Sequence, residues 1–272
     1  MFVTNKQNIT IPEFIEINDN QVKVVNEFKL LGIIIDNKLN FIKNTCKLRK
    51  SINTRLYSIQ KLFQLPMCVK IQFFKTFILP YFDYCATLCI YYPKFIIQKL
   101  ANTYNNCIFK LFDTKAICGT IINNSDDFNN WNFLLFDKYG VNSFQHRLLL
   151  RLSMFIYKIL KFDDSPINLV NVFKKNSQLN KRYALRNANN FTIPSKGKFN
   201  DYKEETFNYF FSQFINEVIG DFTEYKISYF KLIIKQKIKH YFILFVKIFN
   251  KFDLNFRVYY KKTKYNNTSI IF

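Results

Sequence analysis

Phe28-Lys29-Leu30-Leu31-Gly32-Ile33-Ile34-Ile35-Asp36 opens the stretch, ending at Phe82, on which the reading of the fold turns. Its first part is a nearly continuous apolar run with a single glycine, the pattern of a strand buried on both faces. Asp36-Asn37 ends it. Leu39 to Phe63 then carries a helical period. At 100° per residue, Phe41, Leu48, Ile52, Leu56, Ile59 and Phe63 fall on one stripe, and Lys43, Lys47, Lys50 and Lys61 fall on the opposite one. Arg49 and Arg55 flank that cationic face. Leu65-Pro66 breaks the helix, and a second one is expected from Met67 to about Tyr92, with a bend at Pro80. Between Asp36 and Asp83 there are nine basic residues and no acidic one. No Glu or Asp stands at i+4 to neutralise the lysines. Unbalanced cations repel one another unless an anion lies among them, so this face is expected to meet phosphate.

Outward from this stretch, residues 1–36 read as β structure. Asn18-Asp19-Asn20 is a turn signal between two short extended runs. So few strands predict the edge of a larger sheet. On the other side, Lys94 to Phe112 predicts a third helix, with Ile97, Leu100, Tyr104, Ile108, Leu111 and Phe112 on one face. Three consecutive helices with short connections predict a small bundle. Thr114 to Asn130 is polar and reads as a linker. Val141 to Phe162 predicts a helix that Asn142 or Ser143 caps. Ser165 to Gly197 reads as irregular, and Tyr202 to Phe252 as two helical pieces broken near Gly220-Asp221. The last residues, from Tyr259, read as a tail. The expected fold is mainly α with a small N-terminal β-hairpin or sheet. Its parts are a sheet remnant (1–38), a three-helix bundle (39–115) and a helical extension with a basic tail (116–272).

Composition bears on partners. The formal net charge is +21, and 33 of the 40 basic residues are lysine. Such an imbalance predicts a polyanionic partner, nucleic acid before an anionic membrane. AT-rich codons favour Lys, Asn, Ile, Phe and Tyr, so total charge counts for less than its placement. A second cationic region, Lys226 to Lys264, holds eleven basic residues and one acidic, Asp253. Met1 to Ile11 has no apolar core of a signal peptide. Six scattered cysteines form no secreted framework, so a reducing intracellular compartment is expected, nucleus and cytoplasm being equally open. Thr76 to Pro93 carries only Asp83 over a length near that of a membrane span, but Pro80 and its polar residues favour a core helix.

Chemistry is sparse. The only histidines, His146 and His240, lie far apart, and Cys85 and Cys89 lack a second pair of zinc ligands nearby. Two-metal polymerase chemistry needs carboxylates held against a triphosphate. Asp126-Asp127 and Asp163-Asp164 stand in the wrong contexts for it, without an aromatic two residues ahead and without a strand. Five glycines make no phosphate loop. No catalytic and no metal-binding residues are assigned.

The order of motifs from Phe28 onward resembles the C-terminal part of reverse transcriptases from non-LTR (LINE-type, jockey-like) retrotransposons. Phe28-Lys29-Leu30-Leu31-Gly32-Ile33 is similar to the family's aromatic-x-Leu-Gly primer-grip hairpin. Asp36-Asn37-Lys38-Leu39-Asn40-Phe41 stands where an Asp, a turn and LxF lead into the thumb. Phe77 to Tyr84 looks like its ilPyldY segment, and Asn105 to Lys110 like its qn.ilR helix, with Lys110 in place of the more usual Arg. The likeness covers roughly residues 20–115 well and the rest loosely, through Tyr183 to Arg186, Phe214 to Asn216 and Tyr229 to Lys231. It implies a primer grip at Phe28, Leu30, Leu31 and Gly32. It also implies a thumb whose Lys43, Lys47, Arg49, Lys50, Arg55 and Lys61 follow a nucleic-acid backbone without reading sequence. An RNA–DNA hybrid is the implied partner, together with upstream polymerase domains. The family activity is RNA-directed DNA polymerisation, but its catalytic aspartates and the Mg2+ they hold belong to a palm that would precede these residues. This chain alone is therefore expected to be inactive and to carry no cofactor. The alternatives are a basic protein of the membrane surface and a decayed transposon reading frame with no selected function.

Overall fold

The computed structural model describes residues 1–3, 10–59, 64–112, 140–179, 188–193, 207–220, 222 and 224–248. Within them the chain is mainly helical, 60% helix in nine α-helices, with two small antiparallel β-hairpins at the N-terminal end.

The first hairpin pairs β1 (Phe14–Ile17) with β2 (Asn20–Lys23) across an Asn18-Asp19 turn, both residues at positive φ. Asn and Asp tolerate that region best after glycine, which is what a two-residue hairpin loop requires. The second pairs β3 (Glu27–Leu30) with β4 (Ile33–Asp36). Here the expectation of one strand from Phe28 to Ile35, buried on both faces, fails. Leu31 (φ 46°) and Gly32 (φ 89°) form the turn, and the apolar run folds back on itself. All four residues of β3 are exposed, whereas β4 turns Ile33 into the core.

Asp36 organises the passage from sheet to helix. Its Oδ1 accepts from the backbone N–H of Lys38 and Asn40, both at 3.1 Å, and its Oδ2 accepts from Phe41 N–H at 2.8 Å. Leu39 and Phe41 have positive φ (52° and 56°), so the helix expected from Leu39 begins only at Ile42, where Asn40 Oδ1 caps it. Helix α1 is Ile42–Ile59. Of its predicted apolar stripe, Phe41, Ile52 and Leu56 are buried and Leu48 half-buried; Phe63 lies outside the described residues.

The expected helix from Met67 to Tyr92 is instead four pieces. Helix α2 (Met67–Phe73) passes into a π-helical turn (Phe74–Ile78), then α3 (Leu79–Asp83) and a 3-10 helix (Ala86–Tyr91). Pro80 has no N–H to give the preceding turn. The wider turn relieves this, with Leu79 N–H bonding to Phe74 C=O. Cys85, in the left-handed region, separates α3 from the 3-10 helix. No helix of the described residues is long and apolar enough to cross a membrane.

Helix α4 (Lys94–Leu111) follows Pro93, and all six residues expected to face inward are buried, five on the helix and Phe112 just past its end. The linker read at Thr114 to Asn130 lies outside the described residues. Helix α5 (Phe144–Lys161) starts at Ser143, whose Oγ accepts from His146 N–H at 3.3 Å. Two single-turn helices, α6 (Ile167–Val170) and α7 (Asn176–Leu179), stand in the segment read as irregular. Helix α8 (Phe207–Phe214) ends in a second π-turn (Ile215–Ile219), and Gly220 at φ 73° separates it from α9 (Ile227–Ile248). The core is continuous across these elements. Phe74, Phe82, Tyr104 and Phe144 meet largely edge-to-face at its centre, with centroids 5.1–6.0 Å apart.

Candidate nucleic-acid interface

The second hairpin and α1 lie side by side. Asn44 Oδ1, in the first turn of α1, accepts the outward N–H of Ile34 at 3.1 Å. That bond seals the inner edge of β4 against the helix and leaves β3 as the outer, solvent-facing strand. Phe28 and Leu30 are exposed on β3, and Leu31, at the tip of the turn, is 81% exposed. Three of the four residues read as a primer-grip-like element are thus apolar side chains standing in solvent. The fourth, Gly32, takes the other positive-φ position of the turn.

The cationic residues of α1 divide into groups. Lys43, Lys47 and Lys50 recur at i, i+4 and i+7 and are exposed, so they form one row along the helix. Lys43 meets Glu27 of β3 in an ion pair. Both partners are largely solvated, so the pair is worth well under ~1 kcal/mol and yields readily to a competing phosphate. The ammonium groups of Lys47 and Lys50 have no ion pair or hydrogen bond among the described residues. Arg49 is half-buried and donates from Nε to Thr103 Oγ1 at 3.0 Å, which commits part of its guanidinium to the contact between α1 and α4. Arg55 lies over the ring of Tyr81, 4.8 Å from its centroid. Lys61 lies outside the described residues.

Below the turn is a cleft of about 510 Å3 between the hairpin, α1 and the α3 to 3-10 connection. Gly32, Lys47, Pro80 and Tyr84 are its exposed lining residues and mark the mouth; Thr45, Cys89, Tyr92 and Phe144 are buried and mark the floor. Tyr84 donates its hydroxyl proton to Leu31 C=O, which holds its ring against the turn. A Cβ at position 32 would sit 4.0 Å from that ring. Burial pushes the Tyr92 phenol far above its ordinary value, so it stays protonated. Burial also raises the Cys85 thiol, the Tyr84 hydrogen bond opposing this in part, so Cys85 is no ready nucleophile. Among the described residues no group of three His, Cys, Asp or Glu side chains is arranged to hold a metal ion.

A second polar constellation holds the cleft wall. Asp83, the one charge in its apolar segment, accepts from Arg147 Nε at 2.7 Å and is also paired with Arg147 Nη2 and Arg151 Nη2. Burial alone would push its carboxyl up, but the hydrogen bonds and charges of the two arginines more than offset that and hold it below the usual carboxylate range. The partners are 64 and 68 residues away, so no local spacing announces them. The cleft is equally silent in sequence, because its walls come from separate elements. Of its aromatic residues, only Tyr81, Phe82 and Tyr84 fall in a motif that the sequence singles out.

Comparison of the chain with protein-family models, with curated proteins and with solved structures finds no match.

Proposed function

We propose that the chain binds nucleic acid along the α1 lysine row, as the primer-grip, thumb and connection region of a reverse transcriptase of the non-LTR retrotransposon kind, without a catalytic centre of its own. The observation that carries the reading is the exposed Leu30-Leu31-Gly32 turn on a hairpin packed against α1, with Gly32 and Lys47 lining one cleft and Lys43 paired to Glu27, on a helix without acidic residues. Its lysine row presents point charges to a phosphate backbone, and the turn presents apolar side chains to sugars; an ammonium lacks the planar fork of donors with which arginine reads a base edge. Recognition is therefore by shape and charge. An A-form hybrid, whose wide and shallow minor groove exposes sugar and backbone, fits that description.

The test is a fluorescence-anisotropy titration of the chain with a labelled RNA–DNA hybrid across a salt series, with anionic vesicles as competitor. Each phosphate contact contributes about 0.9 to the slope of log K against log salt on a duplex. K43Q/K47Q/K50Q is therefore expected to lower that slope by about 2 to 3. A triple variant that binds like the parent, or vesicles that displace the hybrid at equal phosphate concentration, would overturn the reading.

A further inference from the structure

The cleft under the hairpin turn is more specific than a charged face requires. Its volume, about 510 Å3, lies within the ~300–1,000 Å3 range of small-ligand sites. We propose that it takes one unpaired nucleotide, with the base inside the cleft and the phosphate at Lys47 Nζ. This deepens the nucleic-acid reading above and rests on it.

Three observations converge. First, the mouth pairs a fixed aromatic ring with a cation. Tyr84 is more than half exposed but tied through its hydroxyl to Leu31 C=O, and Lys47 lines the same opening. A base stacks on a ring that is already positioned, and every base has a face to offer. Second, the floor holds a polar group with nothing to bond. Thr45 is 1% exposed, and its Oγ1 has no hydrogen-bond partner among the described residues. A hydroxyl both donates and accepts, so it can meet either kind of group on a base edge. A buried hydroxyl left without a partner is costly, and a ligand that satisfies it recovers that cost. Third, among the described residues no Asp or Glu lines the cleft, so its described lining does not repel an anionic ligand. A stacked base, an edge hydrogen bond and a phosphate at the rim together describe a single nucleotide lifted out of a strand. The lysine row beside the cleft would then carry the paired region that leads up to it.

The test uses two RNA–DNA hybrids that carry 2-aminopurine at the 3′ end of the DNA strand. In one it is an unpaired overhang; in the other it is paired with uridine. On the full chain, emission from the overhang probe should fall several-fold on binding, as the base stacks, and the overhang hybrid should bind about tenfold more tightly than the blunt one. Thr45→Val keeps the shape and removes the hydroxyl. It is expected to weaken the overhang hybrid about fivefold while the blunt hybrid binds as before, and circular dichroism checks that the fold persists. Tyr84→Leu should abolish the quenching. If the blunt hybrid binds with steep salt dependence but the overhang probe keeps its emission and gains no affinity, the cleft is not a nucleotide site, and the lysine-row reading survives. If neither hybrid binds, both readings fall.

Discussion

Asp83 is the place to test how the helices around the cleft are held. Its side chain is 13% exposed, that of Arg147 is 22% and that of Arg151 is 43%. Asp83→Asn removes the anion between two guanidinium groups. Arg151 can turn toward water, but Arg147 cannot do so fully. Breaking a fully buried pair costs about 3–5 kcal/mol. Discounted for this partial exposure, Asp83→Asn should cost about 2–3 kcal/mol. With a urea m-value of about 2–3 kcal/mol/M, the unfolding midpoint should fall by roughly 1 M. Arg151→Gln, at the exposed end, should cost under ~1 kcal/mol. The informative variant is Asp83→Leu/Arg147→Met, which replaces charge by apolar volume. It should be far milder than the sum of its single changes, with a coupling on the order of 2 kcal/mol. Equilibrium urea unfolding followed by far-UV circular dichroism reads all of these. A coupling below ~0.5 kcal/mol, or an Arg151→Gln as costly as Asp83→Asn, would refute the reasoning.

Two other outcomes follow from local geometry. Leu31→Asn, at a turn position with φ 46° followed by Gly32, introduces the Asn-Gly pair that such turns prefer; it should raise stability by about 0.5–1 kcal/mol, measured in the same urea assay. His146 is buried beside Ser143, and burial pushes its pKa down from 6.5 to about 4, so it is neutral in the folded chain. Between those values the unfolded chain takes up a proton that the fold refuses. Its contribution is therefore complete above pH 6.5 and is lost as the pH falls toward 4, by on the order of 3 kcal/mol in all. His146→Gln should flatten the stability profile within that window and leave it unchanged above pH 7; a wild-type profile already flat there would refute the assignment.

The helices that sequence predicts well are those whose signals are local. The apolar face of α4 is readable because Ile97, Leu100, Tyr104, Ile108 and Leu111 keep helical spacing without interruption, and α5 because Ser143 stands ahead of its first turn. Phe28 to Ile35 misleads because composition cannot separate one buried strand from two strands that share a turn. Leucine is an unfavourable residue at positive φ, so Leu31 gives no warning that the chain reverses there. Pro80 announces a bend but not the π-turn that absorbs it, and nothing about Cys85 foretells a left-handed residue. The lysine row is visible as a stripe, yet its ion pair with Glu27 crosses 16 residues of sequence. The cleft and the Asp83 clamp belong to tertiary structure alone. Their members meet only because α1, α3, the 3-10 helix and α5 pack together.

The exposed hairpins have a practical consequence for handling the protein. Among the described residues neither hairpin has a third strand, and they hold Phe14, Ile17, Phe28, Leu30 and Leu31 in solvent; such strands are templates for edge-to-edge association. A formal charge of +21 opposes this by repulsion between molecules. That repulsion has a range of about 10 Å at 0.1 M salt and only about 3 Å at 1 M. The high salt that would strip adventitious nucleic acid during purification therefore also lets the hairpin edges approach. Precipitation should set in as the salt rises, earlier at higher protein concentration. A lysine introduced on the outer strand at Phe28 should delay it without touching the helical core.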